Sequence, residues 1–125
     1  MILKTTDLIG EALRWAVAHA EGWVIKPNTH RFNEELVMLR KDETAWFEDY
    51  DPTTNWLQGG VILEKYIDKY IRVRNEANTA YVFIAYTNTG FIGSGTTLLL
   101  AIMRCFVADK LGYTVEIPDA LLEIM

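Results

Sequence analysis

The sequence predicts an α+β domain in which two main helices pack on a small antiparallel sheet. Two long segments carry apolar residues at helical spacing, whereas several short segments between them are rich in β-branched and aromatic residues. Turn-forming residues separate the short segments closely enough for hairpins, which favours antiparallel pairing. Because 125 residues are enough for one hydrophobic core, we expect a single domain over residues 1–125.

The first half of the chain contains one long helix followed by shorter elements. The helix is predicted from Leu8 to Glu21, because Leu13, Val17 and their neighbours recur at helical spacing and Gly22 is suited to end it. Beyond it, the residue pattern predicts a strand at 23–26, a hairpin formed by 36–40 and 45–48, a loop at 51–55 that caps a helical turn, and a short helix at 61–66.

The second half contains the clearest strands and the second long helix. Segments 70–74 and 79–86 predict an antiparallel pair joined by a turn at 75–78, with Arg72 and Arg74 on one face of the first strand. A glycine-rich loop is expected at 87–96. The second helix is predicted from Thr97 to Leu111 with Gly112 at its end, followed by a closing strand at 113–118 and a final turn at 120–125.

Charge and hydropathy exclude several classes of protein. Twelve Lys and Arg against 17 Asp and Glu give a formal charge of −5, which argues against binding a nucleic-acid polymer but allows a small anion in one basic pocket. The longest apolar run, at 97–103, is interrupted by Arg104, so we expect no membrane span and no membrane partner. With Cys105 as the only cysteine and no signal-peptide pattern, we expect the protein in a reducing cytoplasm.

Catalytic and metal-binding motifs are scarce. His19 and His30 lack partners at metal-ligand spacing, and no nucleophile elbow is present. The acidic stretch at 48–51 lacks the alternating oxygens and glycine of a calcium loop, so we interpret it as a solvated loop. Cys105, inside an apolar helix, is interpreted as a small core residue. We therefore predict no catalytic residue, no metal and no cofactor.

The segment before the second long helix is the strongest candidate binding site. Its glycines permit close approach of the backbone, and the N–H groups at a helix N-terminus attract phosphate or carboxylate. The spacing matches neither a Walker loop nor a dinucleotide-binding fingerprint, so a flexible connection with a threonine cap remains the alternative. The predicted phosphate ligands are Ser94, Gly95, Thr96 and Thr97.

Further candidates supply charge and an aromatic plane. Arg104 falls two turns along the second helix, where it is either an anion partner or the edge of the apolar stripe. Arg72 faces either a ligand or solvent. Trp56 is either a core residue or a platform that stacks a base beside the exposed backbone of Gly59 and Gly60.

Three segments, in this order, resemble the NinX-like family of small bacteriophage proteins. They are residues 7–18 with 22–23, residues 55–64, and residues 101–112 with 115–118. The resemblance implies a phage accessory protein made in the bacterial host cytoplasm, in a family without an established activity. The resemblance further implies a protein that acts against host defence, or adjusts host machinery, without catalysis.

The leading hypothesis is a non-catalytic binder, and a possible sponge, of an anionic small molecule such as a nucleotide immune signal. Because binding pockets are often completed between subunits, a homo-oligomer is expected. The alternative is a protein–protein effector that masks a host protein through its acidic surface. A hydrolase is a third interpretation, which requires metal binding near Asp49 and Asp51.

Overall fold

The computed structural model describes residues 1–27, 36–39 and 51–118, except for the side chains of 24–27 and 36–39. The helices are α1 (Gly10–Ala20), α2 (Trp56–Tyr66) and α3 (Leu98–Leu111), and a 3₁₀ turn spans Thr5–Asp7. The strands are β1 (Ile2–Lys4), β2 (Val24–Pro27), β3 (Leu36–Leu39), β4 (Ile67–Arg74), β5 (Tyr81–Thr87), β6 (Ile92–Gly95) and β7 (Thr114–Glu116).

A three-stranded antiparallel sheet in the order β4-β5-β6 forms one layer of the fold. Ala85 at its centre lies opposite Tyr70 on one side and Gly93 on the other. Ala85 and Thr87 are buried, whereas Ile84, which alternates with them, is only partly buried. Because residues alternate between the two faces of a strand, α3 covers one face of the sheet, and the opposite face is more exposed.

The hydrophobic core is built around α3. This helix contacts α1, α2, β5 and β6, and the hydrophobic side chains that it buries include Ile102, Met103, Phe106 and Val107. Each such side chain contributes about 1.5–3 kcal/mol to folding. The apolar stripe of α1 packs on α3 through residues such as Leu13. The α+β prediction, with helices packed on a small antiparallel sheet around one core, is therefore confirmed.

A second, two-stranded sheet joins the two ends of the described chain. β1 pairs antiparallel with β7, and Leu3 lies opposite Val115. The Thr5 hydroxyl reinforces this contact by donating a 2.7 Å hydrogen bond to the Gly112 carbonyl. The sequence did not predict β1, because three residues carry too little periodicity to distinguish a strand from a coil.

Both long helices end as their sequences predict. Gly22 and Gly112, which follow α1 and α3, each have φ of +94°, a conformation that glycine adopts at little cost. The strand pair β4–β5 is also confirmed, with Arg72 opposite Phe83. Its turn is stabilised by the Asn75 side chain, whose Oδ1 accepts a 2.9 Å hydrogen bond from the Thr79 amide.

The glycine-rich segment is not a loop throughout, which corrects the prediction for 87–96. Residues 92–95 form β6, because β5 supplies an antiparallel partner and α3 leaves no room for side chains at two positions. A Cβ added at Gly93 would lie 2.2 Å from the Cys105 nitrogen, and one added at Gly95 would lie 2.7 Å from Leu100 Cγ. The glycines therefore allow a strand to lie directly on a helix.

Two further expectations change in the first half of the chain. The helix predicted at 61–66 begins earlier, at Trp56, because an Asn55 cap and packing on α3 extend it through Gly59 and Gly60. β3 pairs with β2 in the structure. The partner strand predicted at 45–48, the final turn at 120–125 and His30 lie outside the described residues. No helix among the described residues is long and apolar enough to span a membrane.

Candidate functional site

The helices α2 and α3 lie side by side and point in the same direction. Gly59, in the first turn of α2, packs on Leu99 in the first turn of α3, where an added Cβ would lie 2.5 Å from Leu99 Cδ2. Two turns further along both helices, the rings of Tyr66 and Phe106 meet with their centroids 4.7 Å apart. Since the contacts advance together along both helices, the two N-termini lie at the same end of the molecule.

Each of these N-termini is capped by a side chain that satisfies one amide. Asn55 Oδ1 accepts a 2.9 Å hydrogen bond from the Leu57 amide, and Thr97 Oγ1 accepts a 3.1 Å bond from the Leu100 amide. Helix geometry leaves the first amides of each helix without an acceptor inside the helix, and the caps do not reach those of Trp56 and Leu98. The partial positive charges of two helix dipoles therefore add at this end.

The sheet contributes two guanidinium groups at the same end. Arg72 lies opposite Phe83, which in turn lies opposite Gly95, the residue before the Thr96–Thr97 connection to α3. Directly opposite residues share a face, so Arg72 projects on the α3 side of the sheet. Arg72 and Arg74 stack on the ring of Tyr81, with Cζ 4.1 and 4.4 Å from the ring centroid. This stacking orients both cations while leaving them exposed.

We call this end of the molecule the helix-start site and define it by Trp56, Arg72, Arg74, Thr96 and Thr97. Half of the Trp56 surface is exposed, so its ring is accessible at the start of α2 rather than buried in the core. Thr96 and Thr97 are exposed as well. The structure thus brings four of the predicted binding residues to one end and adds Arg74, which the alternation of β4 placed on the same face as Arg72.

Arg104 lies elsewhere, which corrects the prediction that it supplies charge beside Thr97. Its Nε donates a 3.0 Å hydrogen bond to the Leu8 carbonyl, and its Nη1 donates a 2.9 Å bond to the Ser94 carbonyl. Burial lowers the pKa of the guanidinium, and the Asp7 carboxylate opposes that shift. Arg104 is therefore a brace between the segment before α1 and the outer edge of β6.

Three other predicted residues serve packing or pairing. Gly59 and Gly95 are buried beneath Leu99 and Leu100, so their backbone is not an open surface for a ligand. Ser94 alternates with the two glycines that face α3, so its side chain projects on the opposite face of the sheet. Gly60 has open space around the position of a Cβ but lies one turn beyond the start of α2.

The groups considered for catalysis have structural partners. The Asp51 carboxylate accepts hydrogen bonds from the hydroxyls of Thr53 and Thr54, and Asp49 lies outside the described residues. His19 stacks on Trp15 with ring centroids 4.8 Å apart. Across residues 1–27 and 51–118, no three His, Cys, Asp or Glu side chains gather as they would around a metal ion.

Fold and site together define a small α+β protein in which the N-termini of α2 and α3 and the arginine-bearing end of β4 lie at one end of the molecule. Residues 4–110 match the protein-family model described as Bacteriophage P22, NinX. Because this match covers most of the chain, the protein belongs to the NinX family of bacteriophage proteins, and the resemblance predicted from three sequence segments is confirmed. No curated protein matches the sequence.

Proposed function

We propose that this phage protein is a non-catalytic accessory protein that binds a small anion, such as a nucleotide immune signal, and sequesters it from the bacterial host. The observation that carries the proposal is the parallel packing of α2 and α3, which places two helix N-termini side by side. Membership of a bacteriophage family supports the context, in which a phage gains by removing a host defence signal in the cytoplasm.

Each part of the helix-start site has a role in this proposal. The free amides at the start of α3 and the Thr96 and Thr97 hydroxyls receive a phosphate group, as helix N-termini commonly do. Arg72 supplies a full positive charge and the planar geometry that suits phosphate oxygens. The exposed ring of Trp56 stacks a base, an interaction of about 1–3 kcal/mol.

Isothermal titration calorimetry tests the proposal directly. The purified full chain is titrated with cyclic dinucleotides, cyclic trinucleotides and ADP-ribose derivatives, and the bound compound is recovered by unfolding the protein. We expect saturable heat with at least one compound and its recovery intact, since a sponge does not turn over its ligand. Heats indistinguishable from buffer dilution across the whole set would refute the proposal.

A pair of charge-matched variants locates the site. Thr97→Asp keeps a good N-cap but places a carboxylate where the phosphate is proposed to bind, so we expect affinity to fall at least tenfold while the fold persists. Lys110→Gln removes one positive charge at the other end of α3, where Lys110 lies over Tyr66, and should leave affinity unchanged. Equal loss in both variants would indicate a general charge effect and contradict the site.

The effector alternative predicts a different result. If the protein masks a host enzyme, a pull-down from a bacterial lysate should recover one host protein bound to it in stoichiometric amount. The calorimetric titrations should then show no heat of binding. That combination would replace the small-molecule proposal.

A further inference from the structure

The two outer edges of the three-stranded sheet differ in how their backbone groups are satisfied. At the β6 edge, the Ile92 amide donates a 3.3 Å hydrogen bond to the Tyr113 hydroxyl, and the Ser94 carbonyl accepts from Arg104. At the β4 edge, no hydrogen bond from any described residue meets the outward backbone groups of residues 70, 72 and 74. β4 is also the longest of the described strands, and its side chains from Asp68 to Arg74 are exposed.

The alternation of hydrogen-bonded and non-hydrogen-bonded pairs between β4 and β5 identifies which residues of β4 present these outward groups. The Asn75 amide donates to the Ala80 carbonyl at 2.9 Å, which points the Asn75 backbone toward β5. Backbone groups alternate in direction along an antiparallel strand, so those of Tyr70, Arg72 and Arg74 point away from β5. An edge of this length that no other described strand pairs with is a ready template for another strand.

We propose that β4 pairs antiparallel with β4 of a second copy of this chain, about a two-fold axis at Ile71. In this register Ile71 lies opposite Ile71 of the second copy, and Tyr70 of each copy lies opposite Arg72 of the other. The outward backbone groups of Tyr70 and Arg72 can then form hydrogen bonds between the two copies. Val73 lies opposite Lys69 of the second copy. The result is a six-stranded sheet with the helices of both copies on the same face.

The neighbouring registers are excluded by charge and by backbone shape. An axis at Arg72 sets two guanidinium groups directly opposite each other, which is destabilising. An axis at Tyr70 draws the irregularity between Ile67 and Lys69 into the ladder of both copies. The register about Ile71 sets no guanidinium groups directly opposite each other, and its central pairs lie beyond that irregularity.

Cysteine cross-linking tests the register in the full chain. Residues at a two-fold axis in a non-hydrogen-bonded antiparallel pair have Cα atoms about 4.5 Å apart, within the range for a disulfide. Under mild oxidation with oxidised glutathione, Ile71→Cys should form a covalent dimer at least tenfold faster than Tyr70→Cys or Arg72→Cys. Val61→Cys places a cysteine at an exposed position on α2 and measures the rate of cross-linking by random collision. The native Cys105 is buried and should not compete.

Light scattering and native mass spectrometry measure the unmodified assembly. We expect a dimer in the native chain, and at least tenfold weaker dimerisation for Ile71→Lys, which opposes two ammonium groups at the axis. Val61→Lys, an equally exposed apolar-to-lysine change, should leave the dimer intact. A monomer at all concentrations, or faster cross-linking at position 70 or 72 than at 71, would overturn the proposal. Neither result bears on the calorimetric test of ligand binding.

Discussion

Replacing Gly93 by alanine measures how closely β6 must lie on α3. The added Cβ would stand 2.2 Å from the Cys105 nitrogen, 2.6 Å from the Ala101 carbonyl oxygen and 2.6 Å from Cys105 Cα. All three atoms belong to a helix backbone, so none can swing aside as the end of a side chain does. Because carbon atoms pack at about 3.5–4.0 Å, β6 must retreat from α3 by about 1 Å.

The expected cost follows from that retreat. Overpacking a core typically costs about 1–3 kcal/mol, and a contact with backbone belongs at the upper end of the range. The reduced flexibility of alanine in the unfolded chain offsets about 0.5–1 kcal/mol of the loss. We therefore expect Gly93→Ala to lower the free energy of unfolding by about 2–2.5 kcal/mol.

Urea unfolding followed by tryptophan fluorescence provides the assay, and Gly60 provides the matched control. Gly60 lies inside α2 with nothing within 4 Å of its added Cβ, so Gly60→Ala should stabilise the protein by about 0.5–1 kcal/mol. The two variants make the same chemical change and should shift the unfolding midpoint in opposite directions. A Gly93→Ala variant as stable as the native chain would refute the close packing of β6 on α3.

Three further outcomes are expected. Arg104→Met should lower the free energy of unfolding in urea by about 2–3 kcal/mol, because the carbonyls of Leu8 and Ser94 lose a charged donor; an unchanged midpoint would contradict the brace. Burial, with a smaller contribution from Asp109, raises the pKa of the Cys105 thiol to about 11, so the folded chain at pH 8 should react with a maleimide at least tenfold more slowly than the chain in urea. Because the pKa of the Cys105 thiol is higher in the folded chain than in the unfolded chain, the contribution of the thiol to the free energy of unfolding is complete below about pH 9 and declines toward pH 11. Cys105→Ala should abolish that decline in urea titrations at pH 8 and 10.

The parts of the fold that follow from local pattern were predictable. α1 and α3 each present an apolar stripe over several turns and end at a glycine, and β4 and β5 alternate in sequence on either side of a short turn. In these segments the residues that determine the structure are close in sequence, so periodicity and turn chemistry are sufficient.

The candidate site was only partly predictable. Trp56, Arg72 and Thr97 were selected for their chemistry, and the structure brings them to one end. Arg104 was selected because it shares a helix face with Thr97, but the carbonyls that it binds belong to segments distant in sequence. No local pattern reveals a partner of that kind.

By itself the sequence determined the α+β class, the two long helices, the central hairpin and the family of phage proteins to which the chain belongs. The tertiary structure decided that a glycine-rich stretch becomes β6 and that α2 and α3 run parallel. It also decided that, within residues 1–27, 36–39 and 51–118, partners meet the outward backbone groups of β6 but not those of β4. Glycine carries no side-chain signal for a strand, so only a neighbouring strand and a helix at close range can impose that conformation. The direction of one helix against another likewise depends on packing between segments that the sequence holds far apart.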